Sequence, residues 1–540
     1  MTKKISPNAR VSVLSLALVL VALALLVSVR TRVHAQSIYT GVLTWHNDNQ
    51  RTGQNLSETI LTTSNVNAKQ FGKLFTFPVD GQIYAQPLYV ANVPISGQGT
   101  HNVVYVATEN DSVYAFDADG LTATPLWQDS FINPANGITT VPCTATGACT
   151  AINPQFGITG TPVIDGSTGT LYVVVFTAEN GTYVQRLHAL DITSGAERFG
   201  GPVVIQGSVP GTGGGSIGGT VTFDPIHESQ RTALTLVNGV VYMGWGTFAF
   251  APWHGWVMGY NAQTLQQEVI YNDTANGKRG GIWSSGAGFA ADNLGNIFLI
   301  TGDGTFDANT GGIDYGDSFL KLVPGSGSFT VKDYFTPYNQ AYISSNDLDI
   351  ASGGVMILPT QPGNNPHELV GAGKEALIYL INRDGMGGYS STTNNNIETV
   401  TATGKGFWSS PAYWLYSVYY AGTNGPLSRY ALTSGLLSAT PASVSTNTFS
   451  YPGATPSISS NGKTNGIVWV LSCSGQPSGG PPAVLRAYSA TNVATMLYGS
   501  SQSGTRDTPG PGTKFAVPTI YNGKVYIGTQ TDLDIYGLLQ

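Results

Sequence analysis

The residues whose types and spacing suggest chemistry are few. The densest group is the acidic, glycine-rich stretch Gly302–Asp317 (GDGTFDANTGGIDYGD), where Asp303, Asp307, Asn309, Asp314 and Asp317 offer the hard oxygen ligands that calcium takes. Asp303, Asp307 and Asp314 are the candidate metal ligands. The spacing lacks the acidic residue at loop position twelve that an EF-hand requires, and a solvated loop between strands explains the same composition. His254 sits between two aromatics in Pro252-Trp253-His254-Gly255-Trp256, and His46 follows Trp45 near the N-terminus. With no Asp or Cys partner assignable to either, both read first as packing residues. Cys143 and Cys149 are close enough in sequence to close a small loop in an oxidising compartment, which leaves Cys473 over. No Gly-x-Ser-x-Gly elbow, phosphate loop, His-Glu-x-x-His, zinc-type Cys/His spacing or Cys-x-x-Cys-His occurs, which removes the commonest hydrolase, nucleotide and haem readings.

The elements that would position these residues form a repeat. A short apolar strand, a second strand ending in Ala or Tyr, and a polar turn recur, most clearly at Asn102–Asp119 (NVVYVATENDSVYAFDAD) and Thr170–Gly195. Weaker copies follow at Gly239–Leu265, Asn296–Leu322, His367–Gly385, Ser417–Gly435, Gly466–Asn492 and Gly523–Leu539, about 50 to 75 residues apart. Each alternates apolar and polar positions with the period of a strand. A further short strand precedes most copies, opened by small residues such as Gly160-Thr161-Pro162, Ser285-Gly286, Ser352-Gly353-Gly354 and Ser410-Pro411. Small residues suit an innermost strand crowded around an axis. The pattern predicts an all-β, eight-bladed β-propeller over residues 71–540, with seven blades as the alternative count. The strand Phe71–Val79 would complete the last blade and close the ring, which removes exposed sheet edges.

In such a ring, function concentrates at the mouth of the central channel, on the loops entering each inner strand. The candidate ligand-binding residues are therefore Gln82, Tyr84, Gln86, Thr159, Thr161, Arg231, Trp283, Ser285, Lys374, Glu375, Trp408, Ser410 and Lys514. Trp and Tyr would stack on a flat or sugar-like ligand, while Arg and Lys would bind acidic groups. The same residues could equally plug the channel.

Charged residues make up only 10% of the 540-residue chain, and Gly (68), Pro (29) and Tyr (27) are abundant, the mix that short strands and tight turns need. A net charge of −7 with no basic run beyond the N-terminus excludes a nucleic-acid partner. Lys3, Lys4 and Arg10 precede an apolar run at 11–29, and Val33-His34-Ala35 resembles a cleavage site. Residues 1–35 thus read as an export signal, or as a membrane anchor flanked by Arg30 and Arg32, followed by an arm over 36–70. The expected location is secreted or periplasmic, with any membrane contact confined to that segment, and the chain is expected to be a monomer.

The turns carry a family resemblance. Ala189, Asp191, Ser194 and Gly195 match the form Ala-x-Asp-x-x-Thr-Gly, with Phe199 where a Trp is usual; Ala115 and Asp117 match its start, and Gly259, Asn261 and Thr264 form a degraded copy. These residues resemble the pyrroloquinoline-quinone (PQQ) repeat family, whose folds are similar to quinoprotein alcohol dehydrogenases, and the likeness runs from about Phe71 to Leu539. Trp45–Asn55 and Lys514–Gln530 also resemble phrases of secreted bacterial propellers known only by this repeat. The resemblance implies PQQ and calcium as candidate cofactors, a disulfide between adjacent cysteines against the quinone, a Glu, Asn and Asp on calcium, and an Asp as general base. This chain has no adjacent cysteine pair, and motif alone places neither the calcium ligands nor the base. The first expectation is therefore a non-catalytic binding or scaffold protein of the cell envelope, its partner a small molecule, a glycan or an envelope protein. A calcium- and PQQ-dependent oxidoreductase acting on alcohols or sugars is the alternative. A glycan-active hydrolase or lyase is the third.

Overall fold

The computed structural model describes residues 39–248, 250–473 and 475–540. The candidate export segment at 1–35, with its apolar run at 11–29, lies outside the described residues. Among the described residues no helix is long and apolar enough to cross a membrane.

The chain folds into a succession of small antiparallel sheets. The first is typical: Leu88–Ile95, Gly99–Ala107, Ser112–Asp117 and Trp127–Ser130 pair in chain order, with Val103 opposite Asp117 and Ala115 opposite Trp127. The longest hairpin, Thr170–Glu179 with Thr182–Asp191, keeps an unbroken register over ten residue pairs. Outer strands of two neighbouring sheets also touch, Val269 pairing in parallel with Gly327.

The two-residue period of these strands sorts side chains between neighbours. On the Thr170–Glu179 strand, Leu171, Val173 and Val175 pack with Val103 and Phe116 of the preceding sheet, whereas Tyr172 and Val174 pack with Val241, Met243 and Trp245 of the following one. Both faces are therefore covered, which is why Ser112–Asp117 and Val240–Thr247 are buried at every position. Equivalent clusters join each later sheet to the next. One of them brings Tyr526, Leu533 and Ile535 near the C-terminus against Val103 and Phe116 of the first sheet. The strand Phe71–Pro78, which precedes the first of these sheets, pairs antiparallel with Asp532–Leu538 at the C-terminal end.

The arm that precedes these sheets runs through their centre. Gly41–Val42 pairs with Leu88–Ile95, and Gln54–Asn55 pairs in parallel with Ser457–Asn461. Between them the backbone carbonyls of Leu43, Asn49, Gln50, Thr52 and Gly53 accept hydrogen bonds from Ile164, Ala291, Ile357, Tyr413 and Ile458, at 2.7–2.9 Å. Asn49 Nδ2 donates to Leu236 O and Asn55 Nδ2 to Ile520 O. Only a segment lying where the sheets converge can reach the inner strands of so many of them. Its turn is held by His46, whose ring nitrogens face Arg51 O and Pro456 O at 3.0 Å. Gly53 adopts φ +67°, and a Cβ there would stand 2.8 Å from the His46 ring, so both backbone and space call for glycine.

Candidate functional site

The loops that enter the inner strands enclose a cavity of about 720 Å³. Its wall is built from the loops that lead into successive inner strands. Tyr84 precedes Leu88–Ile95, Arg231 precedes Thr235–Val237, and Trp283 and Ser285 precede Ala290–Ala291. Lys514 precedes Thr519–Tyr521, and Trp408 precedes Ala412–Tyr413. The polar loops cannot pack between sheets, so their side chains are left facing the shared opening.

Of the channel-mouth residues read from sequence, Tyr84, Arg231, Trp283, Ser285, Lys374, Trp408 and Lys514 line the cavity. The others serve the framework. Gln82 Nε2 donates to Asn153 O and Pro477 O. Gln86 Oε1 accepts from His46 N, and Gln86 N donates to Thr161 Oγ1. Thr159 Oγ1 donates to Glu109 Oε2 at 3.1 Å. Glu375 accepts from Asn339 and Tyr379, and Ser410 N donates to Thr455 Oγ1.

One part of the cavity is acidic. Carboxylate oxygens of Asp303, Asp347 and Asp349 lie within 4.8 Å of one another. Lys374 Nζ stands 2.5 Å from Asp347 Oδ1 and 2.7 Å from Asp349 Oδ2. Asp303 Oδ1 and Asp349 Oδ1 are buried and have no hydrogen-bond partner among the described residues. Burial, reinforced by Asp349, pushes the Asp303 carboxyl up. Burial disfavours the Lys374 ammonium, but Asp349 and Asp347 outweigh it and hold the group charged. Asp307 and Asp314 are occupied elsewhere: Asp307 Oδ1 accepts from Asp314 N, and Asp314 Oδ1 from Asn276 N. Asp347 and Asp349 do not stand out in sequence. Their one signal is position, directly upstream of Ser352-Gly353-Gly354 at an inner-strand entrance.

Another part is basic and aromatic. The Arg231 guanidinium lies 4.8 Å from the Phe515 ring centroid and 5.7 Å from that of Tyr84. It is 5% exposed, makes no hydrogen bond or ion pair among the described residues, and leaves Nη2 buried and unpartnered. Lys514, equally buried, donates to Thr150 O at 3.1 Å. Burial, with Arg231 adding repulsion, lowers the Lys514 ammonium to about 8. Trp283 adds a flat surface: one face lies on Gly246, where a Cβ would come within 3.1 Å of the ring.

A further stretch of wall is the segment Gly147–Ile152, anchored by a disulfide between Cys143 and Cys149, and the exposed Arg279 against Trp253 bounds the cavity as well. Tyr84 OH and Lys514 Nζ both donate to its carbonyls, those of Ala151 and Thr150. Cys473 is buried and free. His254 does not face the cavity as a base; its ring nitrogens are held by Thr274 Oγ1 and Gly214 O.

No family model and no curated protein sequence matches this chain. Solved structures do. A quinohemoprotein alcohol dehydrogenase from Comamonas testosteroni superposes with a TM-score of 0.58 at 14% identity, over 94% of this chain and 81% of that one. A quinohemoprotein alcohol dehydrogenase from Pseudomonas putida HK5 gives 0.57 at 14%, over 92% and 80%. A europium-containing methanol dehydrogenase gives 0.59 at 13%, over 92% and 98%. At such identities the likeness shows fold alone: the chain is a β-propeller similar to that of the quinoprotein dehydrogenases.

Proposed function

We propose that this protein is an exported propeller of eight blades that binds a flat, acidic cofactor together with a hard metal ion in its central cavity, PQQ being the first candidate. The succession of inter-sheet clusters and the pairing of Phe71–Pro78 with Asp532–Leu538 support the closed eight-bladed count. The Cys143–Cys149 disulfide supports an oxidising, extracytoplasmic location.

The observation that carries the reading is the Asp303, Asp347 and Asp349 trio, with two buried carboxylate oxygens unpartnered, in the same cavity as Trp283. Three carboxyl groups against one lysine offer a surplus of hard oxygens, the donor set that calcium or a lanthanide ion takes; burial raises Asp303 and Asp349, so an ion would bind there with release of protons. The residues fit such an ion. Asp303, Asp347 and Asp349 would hold it, Lys374 would keep Asp347 and Asp349 oriented, and Trp283 would offer its open face to a planar ring. When bound, the quinone supplies hydride acceptance and the metal polarises its carbonyl. The donor set differs from the Glu, Asn and Asp that the resemblance implies, and the disulfide on the cavity wall is not one of adjacent cysteines.

Titration calorimetry of PQQ into the full chain, with calcium, with lanthanum and with a chelator, tests this. Saturable, metal-dependent binding at micromolar strength or tighter is expected. No binding with either metal would overturn it. A non-catalytic envelope scaffold is the second reading, favoured by Lys374, which already neutralises part of the acidic trio.

A further inference from the structure

Arg231 presents a different problem from the acidic trio. A guanidinium removed from water costs several kcal/mol unless charge and hydrogen bonds compensate. Arg231 has five N–H donors and uses none of them on a partner among the described residues. The rings of Phe515 and Tyr84 hold it in place without neutralising it. The carboxyl that acts on it electrostatically is Glu109, which forms no ion pair with it: Oε2 accepts from Gly157 N at 2.8 Å and Thr159 Oγ1 at 3.1 Å, and Oε1 is buried without a partner among the described residues. Burial also pushes Glu109 up to about 7, so it is a weak counter-ion at neutral pH. Lys514, also bounding the cavity, adds a second buried cation with only a backbone carbonyl to bind. Neither cation forms an ion pair among the described residues with the Asp303, Asp347 and Asp349 carboxylates that line the same cavity, so an anion is what their part of it lacks.

We propose that Arg231 and Lys514 form an anion-recognition pocket that takes a carboxylate or phosphate group carried on a compact, flat molecule. This deepens the reading above and rests on it only in placing a small ligand in this cavity. The guanidinium fork suits two parallel hydrogen bonds to a planar carboxylate, with the ammonium as a point charge beside it. Phe515 and Tyr84 flank the guanidinium and Trp283 lies on the same cavity, so an aromatic body attached to the anion finds ring surface there. The anion can belong to a cofactor such as PQQ or to an acidic substrate, and the two sources are separable.

The test is calorimetric and needs no turnover. The full chain, its Arg231→Gln and its Lys514→Met variants are titrated with 4-(hydroxymethyl)benzoate, with the neutral 4-(hydroxymethyl)benzamide, with 4-(hydroxymethyl)phenyl phosphate, and separately with PQQ plus calcium. The expected result is that the parent prefers an acid over the amide by roughly ten- to hundredfold, the worth of a charge-assisted hydrogen bond, and that both variants lose the preference. If PQQ affinity is unchanged in the variants, the anion is the substrate's; if PQQ affinity falls by the same factor, it is the cofactor's. Equal binding of acids and amide by the parent, with PQQ affinity untouched in both folded variants, overturns the pocket. Absence of PQQ binding in the parent alone strikes the cofactor reading and leaves the acid-to-amide comparison standing. Melting curves of each variant establish that it is folded.

Discussion

Two buried arginines in this protein do opposite things. Arg51, in the central segment, is 1% exposed and has each guanidinium nitrogen on an acceptor: Nε on Phe289 O, Nη1 on Thr44 Oγ1 and Trp45 O, Nη2 on Thr235 Oγ1. Gly288 leaves it room, since a Cβ there would come 2.6 Å from Nη2. Arg231, 5% exposed, has aromatic rings beside it and no acceptor. Both lose basicity through burial, Arg51 to about 10. The difference lies in what repays the burial. Around Arg51 the fold repays it at once, tying the arm to the inner strands. Around Arg231 the fold leaves the debt open toward a cavity, which is how a binding site differs from a structural charge.

The comparison breaks most sharply in a matched pair of substitutions. Arg51→Met should strand several buried acceptors and lower stability by about 3 kcal/mol or more, read as a shift of the urea midpoint. Arg231→Met should leave stability unchanged or raise it, by up to a few kcal/mol, because an unpaired buried charge is replaced by a similar apolar volume. Equal losses from both would show that Arg231 is structural after all.

A smaller effect comes from pH. Lys514 titrates near 8 in the ligand-free protein, with Arg231 the neighbour that lowers it further after burial. As pH rises from 7 to 9 the ammonium loses its proton and one of the two cations disappears, while Arg231 stays charged. Affinity for 4-(hydroxymethyl)benzoate should fall severalfold over that range in the parent and fall less in Lys514→Met, where only the raised carboxyls of Glu109 and of Asp303 in the same cavity still titrate. A flat parent profile would remove Lys514 from the pocket.

The smallest expected change concerns the wall. The Cys143–Cys149 bridge constrains the segment whose Thr150 and Ala151 carbonyls hold Lys514 and Tyr84. Cys143→Ser with Cys149→Ser should weaken acid binding by about two- to threefold, because only the wall's ordering entropy changes. A loss as large as that of Arg231→Gln would mean that this wall, rather than the cations, governs binding.

What the sequence determined by itself is local. Alternation along Thr170–Glu179, the Asp and Gly turns, and the small residues at Ser285-Gly286 and Ser352-Gly353-Gly354 encode strands, hairpins and inner-strand entrances, because each depends on neighbours a few residues away. From these the all-β propeller was legible, and the entrances pointed to Arg231, Trp283, Lys374 and Lys514. Pattern could not tell which entrance residues face the cavity and which brace the frame. Gln86 and Thr161 share the chemistry of a ligand contact, yet they hydrogen-bond each other beside the central arm. Only the tertiary structure decided that Asp303 meets Asp347 and Asp349 rather than its sequence neighbours Asp307 and Asp314, and that residues 41–55 run through the middle of the sheets. Those juxtapositions come from sheets packed around one axis. That packing is a non-local outcome of burying both faces of every strand, and no spacing along the chain records it.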